Sequence, residues 1–196
     1  MVASSALAQG LLNWSTGGGT GSVIKYGSDA AFGASAGAVF NGSFAGSSPL
    51  TAGIWVGPAG TPESQLAYVG ASAKVVGTAG PSMGNVTGMA SFAVPNYAGG
   101  TTIALQIRAW SGATYGAGSV AGKSGVTSIV LGGPAPNPAV AAWSIGGVAP
   151  SSSWNSVAPT GSGSLAGFTL SIVPEPASAS LLGLGLASLL IFRRRK

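Results

Sequence analysis

Residues 101–110, TTIALQIRAW, are the stretch that decides the fold. Successive side chains of a strand point to opposite sides, so Ile103, Leu105 and Ile107 fall on one face of an extended chain. The other face carries smaller or polar side chains, namely Thr102, Ala104, Gln106 and Arg108. This alternation predicts a β-strand with one face buried in a core.

Shorter runs of the same kind recur along the chain, separated by Gly, Ser, Pro and Asn. In the last run Phe168, Leu170 and Ile172 share one face, and the run that begins at Met89 ends at Pro95. Short strands with frequent turn signals are typical of an all-β protein, so we expect an antiparallel β-sandwich or jelly-roll-like domain. The predicted strands are residues 22–26, 50–56, 66–69, 73–76, 89–94, 101–110, 126–131 and 167–173.

Residues 30–40 are the one helical candidate in the body of the chain. Gly33 and Gly37 weaken it, since a glycine inside a helix costs about 1 kcal/mol relative to alanine.

Composition indicates a folded, loop-rich and nearly uncharged body. The 196 residues include 34 Gly, 12 Pro and five Trp, and only 6% are charged. Disordered chains show the opposite balance, with high charge and few aromatic residues. The chain has no Cys and no His, which removes disulfides, the commonest metal ligand and the commonest general base. We therefore expect neither a metal site nor a cofactor.

The net charge of +5 is concentrated at the C-terminal end, where four cations stand together at 193–196. The remaining charged residues are Lys25, Asp29, Glu63, Lys74, Arg108 and Lys123, with Glu175 in the C-terminal segment. A body with so few and scattered cations does not follow a phosphate backbone, so nucleic acid is not an expected partner.

Catalytic residues are scarce. Asp29 and Glu63 are candidates for a glycosidase pair, but nothing in the sequence brings them together, and solvated carboxylates in turns explain them more simply. A Ser–Lys pairing around Lys123 and Ser124 has no S-x-x-K motif to support it. The interpretation that follows is a non-enzymatic protein with no catalytic residues.

Four of the five tryptophans divide into two groups, and Trp14 is assigned to neither. Trp55 and Trp110 end apolar strands and are expected in the core. Trp143 and Trp154 lie in loop-like surroundings of Gly, Ser and Pro, where an exposed ring can stack on a sugar. These two residues are the candidate glycan contacts, and a purely structural role is the simpler alternative.

The C-terminal segment has three parts. Val173, Pro174, Glu175 and Pro176 form a stiff extended peptide, because each proline fixes its own φ and pushes the preceding residue towards extended geometry. An uncharged apolar run follows at 177–192, and as a helix it would span about 24 Å against a bilayer core of about 30 Å. The terminal Arg193, Arg194, Arg195 and Lys196 can snorkel to the membrane surface and belong on its cytoplasmic side.

This segment is expected to form a single transmembrane helix that leaves everything before residue 177 outside the cytoplasm. A buried core helix is the alternative, but the run lacks the polar face that such a helix has.

In order and position the three parts resemble the PEP-CTERM sorting signal of Gram-negative bacteria. The resemblance covers residues 173–196. It implies recognition and processing by an exosortase, with a precursor in the inner membrane and later release to the cell surface or the extracellular matrix. It also implies an association with exopolysaccharide.

The amino end resembles the end of a secretory signal peptide. Ala6 and Ala8 fit the small-residue cleavage pattern, with Gln9 as the first mature residue. The basic and apolar regions of such a peptide are missing, which suggests that the true start codon lies upstream. An ordinary N-terminus rich in small residues is the alternative.

The predicted organisation is therefore a signal-peptide remnant at 1–8, an exported β-rich domain at 9–172 and a sorting signal at 173–196. The predicted function is a non-enzymatic surface or matrix protein of a biofilm, associated with exopolysaccharide. A carbohydrate-binding module that uses exposed tryptophans is the alternative.

Overall fold

In the part of the protein that the structure describes, β-strands are the main regular secondary structure. This computed structural model describes residues 9–12, 23–86, 92–131 and 167–173. Within them the strands are β1 (Gln9–Leu12), β2 (Lys25–Tyr26), β3 (Leu50–Pro58), β4 (Ala67–Val75), β5 (Phe92–Ala98), β6 (Thr102–Ser111), β7 (Val120–Lys123), β8 (Thr127–Val130) and β9 (Thr169–Ile172). Short 3₁₀ helices occur at Ala30–Ser35, Glu63–Gln65 and Gly80–Ser82.

Strand β6 is the predicted central strand, and it pairs along both of its edges. Strand β3 runs antiparallel along one edge, from Leu50 opposite Ser111 to Pro58 opposite Ile103. On the other edge β7 and β8 pair with successive halves of β6. Ser124 fills the break between those halves, because its hydroxyl accepts from the Ile107 N–H at 3.0 Å and its own N–H donates to the Ile107 carbonyl at 2.9 Å.

The seven-stranded sheet has the order β2-β9-β7-β6-β3-β4, with β8 beside β6, and β1 and β5 form a separate pair. Strands β2 and β9 are parallel, so the sheet is mixed and the prediction of an antiparallel architecture is wrong for this pair. Tight turns enforce antiparallel pairing only between strands that follow each other closely in the chain. Tyr26 and Thr169 are separated by most of the body, so no turn fixes their relative direction. The sandwich packing stays a prediction.

One face of the sheet covers the main hydrophobic core. Ile103, Leu105 and Ile107 are buried there, which confirms the predicted alternation. Leu12 of β1 and Val94 of β5 belong to the same core. Burial of each such side chain stabilises the fold by about 1.5–3 kcal/mol.

An aromatic group forms part of this core. The Tyr26 ring lies 5.2 Å from that of Phe32 and 5.5 Å from that of Phe40. Tyr26 is fully buried, and its hydroxyl is satisfied by a hydrogen bond of 3.1 Å with the Ser47 hydroxyl. Because a buried phenol needs a hydrogen-bond partner, Ser47 is part of the reason that Tyr26 can lie in the core.

Strand β4 joins two runs that the sequence separates, 66–69 and 73–76. Its register with β3 shifts between Ala52 and Ile54, so the chain bulges around Ser72. The buried Ser72 hydroxyl accepts from the Ile54 N–H at 2.7 Å and donates to the Val69 carbonyl at 2.6 Å. A hydroxyl thus replaces the missing ladder bonds, and one strand results instead of two.

Strand β5 continues through Pro95, where the sequence predicts its end. Its register with β1 shifts between Val94 and Ala98, and Asn96 has φ 67° inside the shift. A bulge takes the proline out of the hydrogen-bonded ladder, so its missing N–H costs nothing there.

The helical candidate at 30–40 becomes two short 3₁₀ pieces within Ala30–Ser35, separated by a kink. The Asp29 carboxylate caps the first piece by accepting from the Ala31 N–H at 2.9 Å, and Gly33 lies at the kink with φ 54°.

Candidate functional site

The second face of the sheet carries a cluster of aromatic rings that is separate from the main core. Trp55 of β3, Tyr68 of β4 and Trp110 of β6 meet Tyr115 from the loop between β6 and β7. The Trp55 ring lies 4.6 Å from the Tyr68 ring, 5.6 Å from the Trp110 ring and 5.5 Å from the Tyr115 ring. We call these four residues, together with Arg108, the aromatic face.

A glycine creates the space for these rings. Gly53 lies beside them on β3, and a Cβ added there would come within 2.8 Å of the Tyr68 ring and 3.0 Å of the Trp110 ring. Real Cβ atoms essentially never come closer than 3.0 Å to another heavy atom. The Tyr68 and Trp110 rings can therefore approach the β3 backbone this closely only because position 53 has no side chain.

Arg108 lies between two of the rings. Its Cζ atom is 4.7 Å from the centre of the Trp55 ring and 5.2 Å from that of Tyr115, at distances typical of cation–π contact. Its Nε donates to Gln106 Oε1 at 2.7 Å, and its Nη2 donates to the Glu63 backbone carbonyl at 3.1 Å. Both acceptors are uncharged, so these bonds orient the guanidinium without neutralising it.

Glu63 and Lys123 form an ion pair at the rim of the aromatic face. The hydrogen bond from Lys123 holds the pKa of the Glu63 carboxyl below its usual range, and the positive charge of Arg108 adds to the effect. Of the six charged residues before Pro174, three lie here, whereas Lys25, Asp29 and Lys74 lie elsewhere. The sparse charge of the body is thus concentrated beside its aromatic cluster.

Exposure differs among the rings. Trp55 and Trp110 are buried, which confirms that they are internal residues, although their cluster lies across the sheet from the main core. The Tyr68 side chain is 43% exposed, and its partial burial raises the pKa of its phenol. Trp110 Nε1 is buried and has no acceptor among the described residues.

The Glu63–Lys123 pair predicts a pH-dependent part of the stability. Because the folded-state pKa of Glu63 is below its reference value of 4.5, the pair stabilises the fold above about pH 4.5, and this contribution is lost as the pH falls through the folded pKa. The pair is exposed, so we expect less than about 1 kcal/mol. Urea unfolding of the wild type and Glu63→Gln should differ at pH 7, and the difference should shrink progressively as the pH falls below 4.5. A difference that stays constant with pH would contradict this prediction.

The residues considered for catalysis have separate structural partners. Asp29 caps a 3₁₀ helix, while Glu63 pairs with Lys123. The Ser124 hydroxyl donates to the Gly125 carbonyl and accepts from the Ile107 N–H.

Val173, the first residue of the predicted sorting motif, is attached to the folded domain. Its N–H donates to the Ser119 carbonyl at 2.9 Å, and its half-buried side chain packs against the Trp55 and Trp110 cluster. Strand β1 begins at Gln9, the predicted first mature residue. The other predicted site residues lie outside the described residues, namely Ala6, Ala8, Trp143, Trp154, Pro174, Glu175, Pro176, Arg193, Arg194, Arg195 and Lys196, as does the apolar run 177–192.

Sequence reasoning did not identify Tyr68, Tyr115 and Arg108 as neighbours. The alternation of β6 places Arg108 on the face opposite Ile107, which is a usable signal. The rest depends on the register that sets Trp55 opposite both Tyr68 and Gln106, and no local pattern encodes this register.

These features define a β-sheet protein whose folded domain leads directly into its C-terminal segment. That segment, residues 173–196, matches the family model of the PEP-CTERM protein-sorting motif. The chain therefore carries a PEP-CTERM sorting signal, which indicates an exported protein that exosortase sorts from a membrane-anchored precursor to the surface. No curated protein and no solved structure matches the chain. Among the described residues, no helix has the length and apolar character needed to cross a membrane.

Proposed function

We propose that the mature protein is a non-enzymatic component of the cell surface or extracellular matrix, associated with the exopolysaccharide of a biofilm. The observation that carries this proposal is the sorting motif at 173–196. The composition also supports it. The chain has no His and no Cys, and only 6% of its residues are charged, so it has few side chains that could act in catalysis.

The junction between domain and signal supports direct processing next to the folded domain. Strand β9 ends at Ile172, and Val173 is still hydrogen-bonded to Ser119. The sequence predicts an extended peptide at the two prolines that follow, and an extended peptide is a form that a processing enzyme can bind. Exosortase would then act on a short peptide between the sheet and the apolar run.

A double substitution, Glu175→Ala with Pro176→Ala, tests the proposal in a host that contains an exosortase. We expect the variant to stay in the membrane at precursor size, whereas the wild type appears at its shorter mature size in the surface and matrix fractions. Gel electrophoresis of membrane, surface, matrix and medium fractions measures both properties. Ser178→Ala with Ser180→Ala is the matched control, because it leaves the motif intact and keeps the run uncharged.

Normal processing of the motif variant would contradict the sorting part of the proposal. Mature wild-type protein found in the medium and not in the matrix would contradict the matrix part.

The alternative is a carbohydrate-binding module. The aromatic face is the specific observation that favours it, through residues other than the predicted Trp143 and Trp154.

A further inference from the structure

We propose that the aromatic face, with Lys123 at its rim, is a binding site for an acidic polysaccharide, with a sugar ring on Tyr68 and its carboxylate facing the cations. The inference rests on the proposed extracellular role, because that role determines which kind of polymer the protein would meet. It assigns the contact to residues that no motif in the chain indicates.

The first argument is the rigidity of Tyr68. Its exposed ring is held 4.6 Å from Trp55 at an interplanar angle of 31° and 5.9 Å from Trp110 at 86°. A ring that is fixed before binding loses little conformational entropy when a ligand packs on it. The C–H face of a pyranose is apolar and flat enough to pack on such a ring. Tyr68 therefore has the properties of a sugar-stacking residue.

The second argument is charge. Arg108 and Lys123 provide two positive charges at this face, and Glu63 provides one negative charge. Glu63 is paired with Lys123, while the hydrogen bonds of Arg108 go to neutral acceptors. The uncompensated positive charge favours an anionic ligand, and a carboxylate suits the planar guanidinium. An acidic sugar combines this carboxylate with an apolar ring face.

The test uses the purified full chain in detergent, with polygalacturonate as the acidic probe and dextran as the neutral one. We expect the wild type to bind polygalacturonate in affinity electrophoresis and to be displaced by salt. Tyr68→Ala should weaken binding about tenfold, since loss of one stacked ring has an effect of that order. Tyr68→Phe should retain binding because the ring remains, and Lys123→Gln should weaken it and reduce its dependence on salt.

Two matched controls separate binding from folding. Val75→Ala removes another exposed apolar side chain of β4, and Lys25→Gln removes an exposed cation far from the aromatic face in the sheet order. Both should bind like the wild type, and circular dichroism should show that Tyr68→Ala remains folded.

Three results would overturn the inference: no binding of polygalacturonate, equal binding of dextran, or equal binding by a folded Tyr68→Ala variant. Binding of a single-stranded oligonucleotide in place of polygalacturonate would also overturn it and would assign the face to nucleic acid. The purified chain needs no processing for this assay. A negative result in the polysaccharide-binding assay therefore leaves the sorting proposal unchanged. A negative result in the processing experiment likewise leaves the binding result unchanged.

Discussion

Replacing Ile107 by alanine is expected to lower the free energy of unfolding by about 2–5 kcal/mol. Ile107 lies in the middle of β6, is 1% exposed and faces Ile54 across the β3 pairing. Neighbours on both sides of the strand hold the backbone in place, so the space left by the removed atoms cannot close by a shift of β6 alone. Small domains are stable by about 5–15 kcal/mol in total, so the loss is a large part of the whole.

Urea unfolding of the full chain in detergent, followed by far-ultraviolet circular dichroism, measures this loss. Val126→Ala is the control, because Val126 is 42% exposed and lies between β7 and β8. Its effect should remain within about 0.5 kcal/mol, as is usual for surface positions. If Ile107→Ala and Val126→Ala unfold at similar urea concentrations, then Ile107 of β6 does not stabilise the core as expected.

Strand β6 was predictable because its local sequence pattern agrees with what the core of the fold requires. Alternation of period two places Ile103, Leu105 and Ile107 on one side, and the core needs that side to be apolar. The same agreement explains β9 and the residue before it, because Phe168, Leu170 and Ile172 all pack on the core. In both strands a window of a few residues contains all the information required.

The features that escaped prediction depend on residues far apart in the chain. The parallel pairing of β2 with β9 joins segments at opposite ends of the body. The continuity of β4 depends on a hydrogen bond between the Ser72 hydroxyl and the Ile54 N–H, and no period in the sequence reveals that bond. Pro95 ends a strand under local rules and is tolerated only because β1 pairs around the bulge.

The same distinction between local and long-range information applies to the sorting motif and to the aromatic face. The sorting motif was predictable because its chemistry is linear: a stiff peptide, an apolar run and a basic end lie side by side in the sequence. The aromatic face is not linear, because its members come from three strands and a loop. Tyr68 has no distinguishing local context, and it becomes a candidate only once the register places it on Trp55 beside Arg108.

Replacing Gly122 by alanine is the other change with a large expected effect, because it acts on the strand that leads into the sorting signal. Gly122 of β7 faces Leu170 of β9. A Cβ added at Gly122 would lie 2.5 Å from the Thr169 carbonyl oxygen and 3.1 Å from the Leu170 Cα. These are backbone atoms, so they cannot rotate away as the end of a side chain can. Strand β9 must move as a unit, and the buried Leu170 side chain must move with it.

We expect a loss of about 3 kcal/mol in the free energy of unfolding, at the upper end of what overpacking usually costs. Gly70→Ala is the matched control, since the same substitution in β4 meets nothing within 4 Å. It should be neutral, or stabilising by up to about 1 kcal/mol through a less flexible unfolded chain. Urea unfolding distinguishes the two variants, and equal midpoints would show that β9 adjusts without cost.

Amide hydrogen exchange measures which backbone amides lose protection in the Gly122→Ala variant. Protection should fall first at residues 169–173, including the Val173 N–H that donates to Ser119. Val173 follows β9 directly, is hydrogen-bonded to Ser119 and is the first residue of the sorting motif. Displacement of β9 would therefore release the residues before Pro174 from the folded domain. If exchange at 169–173 stays slow while stability falls, the strain is relieved on the β7 side instead, and the anchor of the sorting signal is the more rigid of the two strands.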